Sequence, residues 1–323
     1  MTGGSPVAGS CRSLARHGAS PAARAPARRA GRVRAGWGGN LGAVQVGMLQ
    51  ALVETGIEPE IVVGCSVGAL NGAAYAADPT LVGVAKLEEL WHGLQGKDLL
   101  PSGFLPAALQ LARRGPAIHT IEPLRRVVEE FLPVRTFEEL AIHFECVATA
   151  LDEAREVWFS SGTLADPILA SSAIPTVYPP VVIDGVRYLD GAVVNDIPIS
   201  RAVELGANRL YVLHVGRFDR PRPEPRRPVD MAVQTYWISR RHRFDRDLAS
   251  LPQGVEAVVL PTGSPPVISF NDFSRTRELI ASAHAATKGF VESMLAAYRQ
   301  GRATSLPDRA RRAFDGVRTR HTP

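Results

Sequence analysis

Apolar residues along the chain follow two patterns: short continuous runs, and longer stretches with one apolar face or a high alanine content. Runs such as "PEIVVG" at 59–64 predict strands buried on both faces. Stretches such as "VGALNGAAYAA" at 67–77 predict helices. The other predicted elements are helices at 43–54, 81–93, 105–114, 121–131, 164–175, 197–207, 231–248 and 275–298, and strands at 143–151, 155–161, 208–216 and 255–260. Because strands and helices alternate, the pattern predicts an α/β domain with a mostly parallel central sheet.

The sequence also predicts a β-hairpin and two segments outside the domain, one at each end of the chain. "VVIDGVRYLDGAVVND" at 181–196 predicts two antiparallel arms around an Asp-Gly turn. Residues 1–31 are rich in Ala, Arg and Pro and predict a disordered basic extension. An organellar transit peptide has a similar composition, and a start codon placed too far upstream also explains it. We favour the disordered extension or the misplaced start over the transit peptide. The domain is therefore expected over 32–300, with a short first strand near 32–37 and a basic tail at 301–323.

The net charge of +5 comes from these two ends. Seven arginines and no acid precede residue 35, and residues 302–320 hold six arginines and two aspartates, which leaves −6 for the segment between them. An acidic body argues against nucleic-acid binding. The ends either contact anionic lipid or remain solvated, and composition favours the second.

The cysteine content and the hydropathy of the chain indicate in which cellular compartment the protein is expected. The three cysteines have unrelated spacings, which is typical of a reducing compartment and of a chain without a zinc site. No run of about 18 apolar residues is present, so no membrane-spanning helix is predicted. We expect a cytoplasmic protein that uses no metal or cofactor.

One serine stands where a predicted strand turns into a helix, in "VVGCSVGALNG" at 62–72. Gly64-Cys65-Ser66-Val67-Gly68 matches the G-x-S-x-G nucleophile elbow, in which flanking glycines permit a sharp turn and the serine projects at the helix N-terminus. A serine that merely caps the helix fits the segment equally well.

A nucleophilic serine needs a group that accepts its proton. His214, His242, His284 and His321 follow in the order of a Ser-Asp-His triad, but each has a simpler structural or solvated role. Asp190 is an alternative base, since a partly buried carboxylate next to Ser66 gains basicity. The small residues Gly191 and Ala192 follow it and permit close approach, although Asp-Gly is also a common turn.

A glycine-rich segment precedes the first predicted helix, Gly38-Gly39-Asn40-Leu41-Gly42. Backbone amides in such a loop bind an anion or an oxyanion. The pattern is also part of a dinucleotide fingerprint, with Glu58 or Glu60 near the distance of the ribose-binding acid. Oxyanion binding is the favoured interpretation.

These motifs, in this order, resemble the patatin-like phospholipase family from about residue 38 to 298. The resemblance rests on "GGNLGAVQVGMLQAL", "IVVGCSVGALNGA", "ASSAIPTVYPPVVIDGVRYLDGAVVNDIPISRA" and "DFSRTRELI". It implies a three-layer α/β/α fold of the acyl transferase/lysophospholipase-like kind, and an enzyme that hydrolyses lipid esters through an acyl-enzyme. A lipid or acyl ester is then the implied partner, with possible peripheral membrane contact. The apolar, proline-broken segment at 99–111 fits a lid or a membrane-contact segment, and packing helices explain it equally well.

The resemblance also implies a role for each motif residue. Ser66 is the expected nucleophile and Asp190 the expected general base, without a histidine. The expected oxyanion hole consists of the backbone amides of Gly38, Gly39 and Asn40. The residues expected to support these motifs are Gly42, Gly64, Gly68, Gly191 and Ala192.

Two departures from the family pattern keep other functions open. Leu41 stands where the family often has Arg or Lys, and Trp37 follows an arginine-rich stretch where the family has an apolar strand and a glycine. They motivate a pseudoenzyme or lipid-binding regulator on the same fold as the alternative. A Ser-His-Asp hydrolase or acyltransferase is a third hypothesis.

Overall fold

The structure, a computed structural model, describes residues 39–99, 117–215, 224–226, 228–264 and 272–300. Its helices are α1 Gly42–Glu54, α2 Val67–Ala77, α3 Leu81–Gly93, α4 Gly96–Leu99, α5 Glu122–Phe131, α6 Ala165–Ser171, α7 Ile199–Glu204, α8 Pro228–Ala249 and α9 Thr276–Arg299. Its strands are β1 Ile61–Cys65, β2 His143–Ala150, β3 Arg155–Phe159, β4 Val181–Ile183, β5 Val186–Asp190, β6 Arg209–Val212 and β7 Glu256–Val259.

The strands form a mixed sheet and a separate parallel pair. β2 lies parallel to β1, which precedes it through a helical crossover, and β6 lies parallel to β7 across α8. β3 and β5 run antiparallel to β2, and β4 runs antiparallel to β5. Parallel pairs are thus those joined through helices, as crossover connections require. The predicted α/β class is confirmed, with a mixed sheet rather than a uniformly parallel one.

Side chains of β2 alternate between two covered faces. Phe144 points to the main core, where the α2 backbone approaches so closely that a Cβ on Gly72 would lie 3.0 Å from the ring. On the opposite face, buried Glu145 accepts a hydrogen bond of 2.7 Å from Arg201 of α7. Helices therefore cover both faces of the sheet, which gives the three layers that were expected.

The predicted hairpin is present, but its second arm is shorter than expected. Asp184 and Gly185 both have positive φ, 49° and 79°, as the tight turn between β4 and β5 requires. β5 ends at Asp190 and not at residue 196, because the Asp190 carboxylate accepts the amide of Ala192 and the chain enters a 3₁₀ turn at Gly191–Val193.

One predicted helix begins earlier than expected, and several other predicted elements lie outside the described residues. α8 begins at Pro228, three residues before the predicted start. Proline is tolerated there because the backbone N–H that it lacks would have no partner within the first turn of a helix. The predicted helix at 105–114, the first strand at 32–37 and both chain ends lie outside the described residues, as does nearly all of the apolar segment at 99–111.

Candidate active site

Ser66 occupies the sharp turn between the last residue of β1 and the first residue of α2. Its backbone has φ 54° and ψ −124°, a conformation that costs a non-glycine residue about 1–3 kcal/mol. Its amide donates a hydrogen bond of 2.9 Å to the hydroxyl of Ser171, a buried residue of α6. Ser66 stands at the N-cap position of α2, but its side chain makes no capping bond to the helix, so a serine that merely caps the helix does not account for it.

The first glycine of the G-x-S-x-G motif has a steric explanation. A Cβ on Gly64 would lie 2.4 Å from the carbonyl oxygen of Gly68, because α2 folds back directly over the end of β1. At Gly68 itself, the nearest atom to an added Cβ is Gln45 Nε2 at 3.5 Å, an ordinary contact. Close packing of the elbow therefore requires a glycine at position 64 and not at position 68.

We expect Gly64→Ala to lower the stability of the protein by about 1–3 kcal/mol, since overpacking here meets backbone that cannot rotate away. Thermal unfolding followed by circular dichroism would show a Tm lower by roughly 5 °C. Gly93→Ala is the matched control, because an added Cβ at this exposed end of α3 meets no atom within 4 Å. Equal Tm values for the two variants would contradict the steric explanation.

Asp190 is held against Ser66 by both its side chain and its backbone. Its Oδ2 accepts a hydrogen bond of 2.8 Å from Ser66 Oγ, and its Oδ1 accepts one of 2.8 Å from the amide of Ala192. Its own amide donates to the carbonyl of Ala173, and its carbonyl accepts from Thr149 Oγ1, each at 2.9 Å. The carboxylate is therefore fixed in one orientation, in a residue that is 2% exposed.

The small residues after Asp190 permit this approach. A Cβ on Gly191 would lie 2.4 Å from the carbonyl oxygen of Val147 in β2. Ala192 is buried and packs with Val147 and Cys65, on the sheet face opposite the main core. The chain after β5 can thus turn tightly across the sheet, which aims the Asp190 side chain at Ser66.

Burial raises the pKa of Asp190 to about 6, because the charged form loses its hydration. Hydrogen bonds from Ala192 and Ser66 and the positive charge of Arg240 act in the opposite direction, and Asp196 adds to the increase. The carboxylate is therefore ionised at neutral pH and more basic than an exposed aspartate.

The glycine-rich loop lies next to this elbow. Gly39 and Asn40 form a turn that leads into α1, and Gly38 lies outside the described residues. A Cβ on Gly42 would lie 2.2 Å from the side chain of Val67, the residue after Ser66. The start of α1 therefore packs directly against the start of α2.

A buried polar network that we did not predict fixes this contact. Asn71 of α2 donates to the carbonyl of Gly42 at 3.0 Å and to Gln45 Oε1 at 2.9 Å, and it accepts from Trp91 Nε1 at 2.8 Å. Gln45 in turn donates to the carbonyl of Leu213. The sequence does contain a signal for this network, because Gln45 and Asn71 are single side-chain amides within otherwise apolar helices. Buried polar groups of this kind are normally hydrogen-bonded to one another or to the backbone.

A second unpredicted group contributes to the electrostatic environment of Asp190. Arg240 of α8 forms an ion pair with Asp196, and its guanidinium lies 5.4 Å from the ring centroid of Tyr236. No pattern in the sequence separates Arg240 from its neighbouring arginines.

The rival sites receive no support from the geometry. The Ser66 hydroxyl bonds to Asp190 and not to a histidine, and His284 bonds to Glu54 at 2.9 Å. Glu58 and Glu60 lie between the end of α1 and the start of β1, at the opposite end of that strand from Ser66. Within the described ranges, no group of three or more His, Cys, Asp or Glu residues is arranged to hold a metal ion.

The fold and the site together define an α/β protein with a serine–aspartate pair at a strand-to-helix turn. The sequence pattern of the patatin-like phospholipase family matches residues 38–203, about half of the chain. The chain therefore belongs to the patatin-like phospholipase family.

Two proteins similar to this chain are much longer than it. Lysophospholipase nte1 of Aspergillus terreus is 29% identical over 189 residues, which cover 58% of this chain and 12% of that protein. A putative patatin-like phospholipase domain-containing protein of Caenorhabditis elegans is 30% identical over 186 residues, 57% of this chain and 16% of that protein. The chain thus spans less than a fifth of the length of these relatives.

Among solved structures, VipD from Legionella pneumophila has 13% sequence identity and a TM-score of 0.38, over 79% of this chain and 65% of that chain. This likeness is too distant to support a functional argument. None of the helices in the described ranges is long and apolar enough to cross a bilayer.

Proposed function

We propose that the protein hydrolyses ester bonds of lipids, as a lipid acyl hydrolase of the phospholipase A or lysophospholipase type. The observation that carries the proposal is the hydrogen bond of 2.8 Å between Ser66 Oγ and Asp190 Oδ2, at a strained elbow. Family membership and the similarity to a lysophospholipase support the substrate class.

In the first half of the reaction, Ser66 Oγ attacks the ester carbonyl carbon and its proton passes to Asp190 Oδ2. The tetrahedral oxyanion is stabilised by backbone amides of the glycine loop at Gly38, Gly39 and Asn40, with the positive end of the α2 dipole behind it. The intermediate collapses when Asp190 returns the proton to the leaving alcohol, and the acyl group remains on Ser66.

In the second half, a water molecule attacks the acyl-enzyme and gives its proton to Asp190. The new tetrahedral intermediate expels Ser66 Oγ, which recovers the proton, and the free fatty acid departs. Asp190 thus acts as base and then as acid in each half. Its raised pKa of about 6 suits both tasks near neutral pH.

Hydrolysis of a short-chain p-nitrophenyl ester between about pH 4 and 9 tests the proposal. Because only the ionised carboxylate accepts the serine proton, we expect kcat/KM to be low in acid, to rise through pH about 6 and to level off above it. Initial rates on the purified full chain give the profile. A maximum below pH 5, or no turnover at any pH, would contradict the proposed chemistry.

A pseudoenzyme or lipid-binding regulator is the second candidate. The observation that favours it is Leu41, a partly buried apolar residue packed on the core, where the family often has a cation. Without that charge, stabilisation of the oxyanion depends on the amides alone. Failure of a fluorophosphonate probe to label Ser66 in the folded protein would favour this candidate over the hydrolase.

A further inference from the structure

Helix α8 contacts the segment that follows Asp190 at two points. Arg240 forms an ion pair with Asp196, and Arg243, three residues further along the helix, donates a hydrogen bond of 3.4 Å to the carbonyl of Val194. The chain enters a 3₁₀ turn directly after Asp190, so this segment is compact. The charges of Arg240 and Asp196 both act on the Asp190 carboxylate from here.

Arg240 carries its charge in surroundings that screen it weakly. The side chains of Arg240 and Asp196 are only 20% and 22% exposed. Tyr236 lies one turn earlier on the same side of α8, with its ring centroid 5.4 Å from the guanidinium. A guanidinium stays protonated even in such a site, and a charge with little water around it acts more strongly on other charges nearby.

Stability alone does not explain an arginine at this position. Arg240 Nε is buried and has no hydrogen-bond partner among the described residues, which costs free energy because the N–H group has lost its water. A buried ion pair in itself adds little stability, since the removal of two charges from water offsets most of their attraction. An effect of the positive charge on the neighbouring site would account for Arg240.

The other polar groups that touch Asp190 are neutral. The Sγ of Cys65 lies 3.8 Å from Asp190 Oδ1, and burial raises the pKa of this thiol well above its usual value. Burial also raises the pKa of Tyr236. Thr149 of β2 bonds to the Asp190 carbonyl through an uncharged hydroxyl. None of these three side chains changes its charge between about pH 4 and 8.

Charged side chains on the neighbouring elements are held by other partners. Glu145 of β2 bonds to Arg201, Glu156 of β3 bonds to Asn195, and Asp166 of α6 bonds to Arg125. Burial raises the pKa of Asp190, the hydrogen bonds at its carboxylate lower it, and then Arg240 lowers it and Asp196 raises it. Arg240 and Asp196 are therefore the charges that act most on Asp190, with opposite signs.

We propose that Arg240 is a positioning residue for the reaction: Asp196 holds its guanidinium in place, and the guanidinium stabilises the carboxylate form of Asp190. The inference rests on the proposed function, because it concerns the base of that reaction. Arg240 lies beyond residues 38–203, which the family pattern matches. Without its cation, Asp190 would be protonated in more of the molecules near neutral pH and could not accept the proton of Ser66.

The pH dependence of kcat/KM in Arg240→Met tests the proposal. We expect the rise in kcat/KM for a short-chain p-nitrophenyl ester to lie about half to one pH unit above that of the wild type, because the neutral acid is then favoured. At pH 5 the rate should fall about three- to tenfold, whereas at pH 9 it should change less than about twofold. An equal loss at every pH would contradict the proposal, since it would indicate a distorted site.

The reverse change at the partner should move the profile the other way. In Asp196→Asn the cation stays and the anion is lost, so the rise should lie about half a pH unit below that of the wild type. The double variant Arg240→Met/Asp196→Asn should lie between the two single variants. Shifts of opposite sign do not arise from loose packing, so Asp196→Asn and the double variant decide the matter even if Arg240→Met fails to fold. Shifts in the same direction, or none, would overturn the proposal.

Two further variants separate charge from shape. Arg240→Lys keeps the cation and should keep the wild-type midpoint. Arg243→Met is the matched control, because it removes a cation from the same helix that touches the same segment and is held at 2.7 Å by Asp247. It should leave the midpoint unchanged. A shift in either variant as large as that in Arg240→Met would show that the charge of Arg240 is not the cause.

A direct titration keeps this outcome separate from that of the proposed function. In protein labelled with ¹³C at the aspartate carboxyl groups, the signal absent from Asp190→Asn reports the protonation of Asp190 without any substrate. If the wild type hydrolyses no ester but the signal titrates higher in Arg240→Met and lower in Asp196→Asn, the hydrolase is wrong and the effect of Arg240 stands. Normal hydrolysis with no shift of the signal in either variant would leave the hydrolase and overturn the role of Arg240.

Discussion

Ser66→Ala should reduce hydrolysis of a short-chain p-nitrophenyl ester by about three orders of magnitude or more. Alanine keeps the β-carbon and the strained backbone of residue 66, so the elbow should be preserved. What is lost is the one oxygen that bonds to Asp190 Oδ2, and with it the atom that attacks the ester. Labelling by a fluorophosphonate probe should disappear in parallel.

Ser161→Ala is the control for this experiment, because Ser161 is exposed in the turn after β3. It should retain both turnover and labelling. Mass spectrometry of the labelled wild-type protein should place the adduct on the peptide that contains Ser66. Turnover that survives in Ser66→Ala, or an adduct on another residue, would assign the nucleophile elsewhere. A Ser66→Ala protein that melts cooperatively near the wild-type Tm excludes misfolding as the cause.

Much of this site could be anticipated from the chain, because its motifs are local. The G-x-S-x-G motif follows from a steric requirement between residues that are close in the sequence. Gly64 lies against the backbone of Gly68, only four residues later, so the need for glycine at position 64 can be recognised from the sequence. The hairpin around Asp184 and Gly185 is equally local, since two positive φ values select these residue types. Helices and strands with strong apolar patterns were predicted for the same reason.

The meeting of Ser66 with Asp190 depends on strand register, which no local pattern encodes. Cys65 pairs with Val147 of β2, and Asp190 pairs with the next residue, Ala148. The ends of β1 and β5 are therefore brought together because both align on β2. A shift of one residue in either pairing would turn the side chain to the other face of the sheet.

Two Asp-Gly pairs illustrate the same limit. Asp184 and Asp190 both end an apolar run and precede a glycine, so the sequence alone favours a turn at each. In the structure Asp184 is exposed at a hairpin tip, while Asp190 is almost completely buried against Ser66. Burial is a property of the assembled layers, and it alone separates the candidate base from the turn residue.

Asp190→Asn should reduce turnover by about 10²–10⁴-fold, the range expected for loss of a general base. The amide has nearly the same shape, and its oxygen can still accept the Ala192 N–H that Asp190 Oδ1 now accepts. It cannot take a proton from Ser66, so attack on the ester is slowed at every pH. The rise in rate near pH 6 should vanish together with the group that titrates there.

The Asp190→Asn substitution should not lower the stability of the protein, although it lowers the activity. The Asp190 carboxyl titrates at about 6 in the folded protein against an ordinary value of 3.8, so the folded state holds the proton more tightly. Its contribution to the free energy of unfolding is therefore fully present below pH 3.8 and is lost as the pH rises through 6. Asparagine carries no charge to bury, so at pH 8 we expect Asp190→Asn to melt at or above the wild-type Tm.

Asp184→Asn is the matched control for Asp190→Asn, since it makes the same change at an exposed Asp-Gly turn where asparagine tolerates a positive φ. It should keep wild-type turnover and the wild-type pH profile. A simple loss of fold in Asp190→Asn would lower Tm and activity together, whereas loss of the base lowers activity alone. If Asp190→Asn retained full turnover while His214→Ala lost it, the proton of Ser66 would pass to a histidine, and the reaction would be that of a triad.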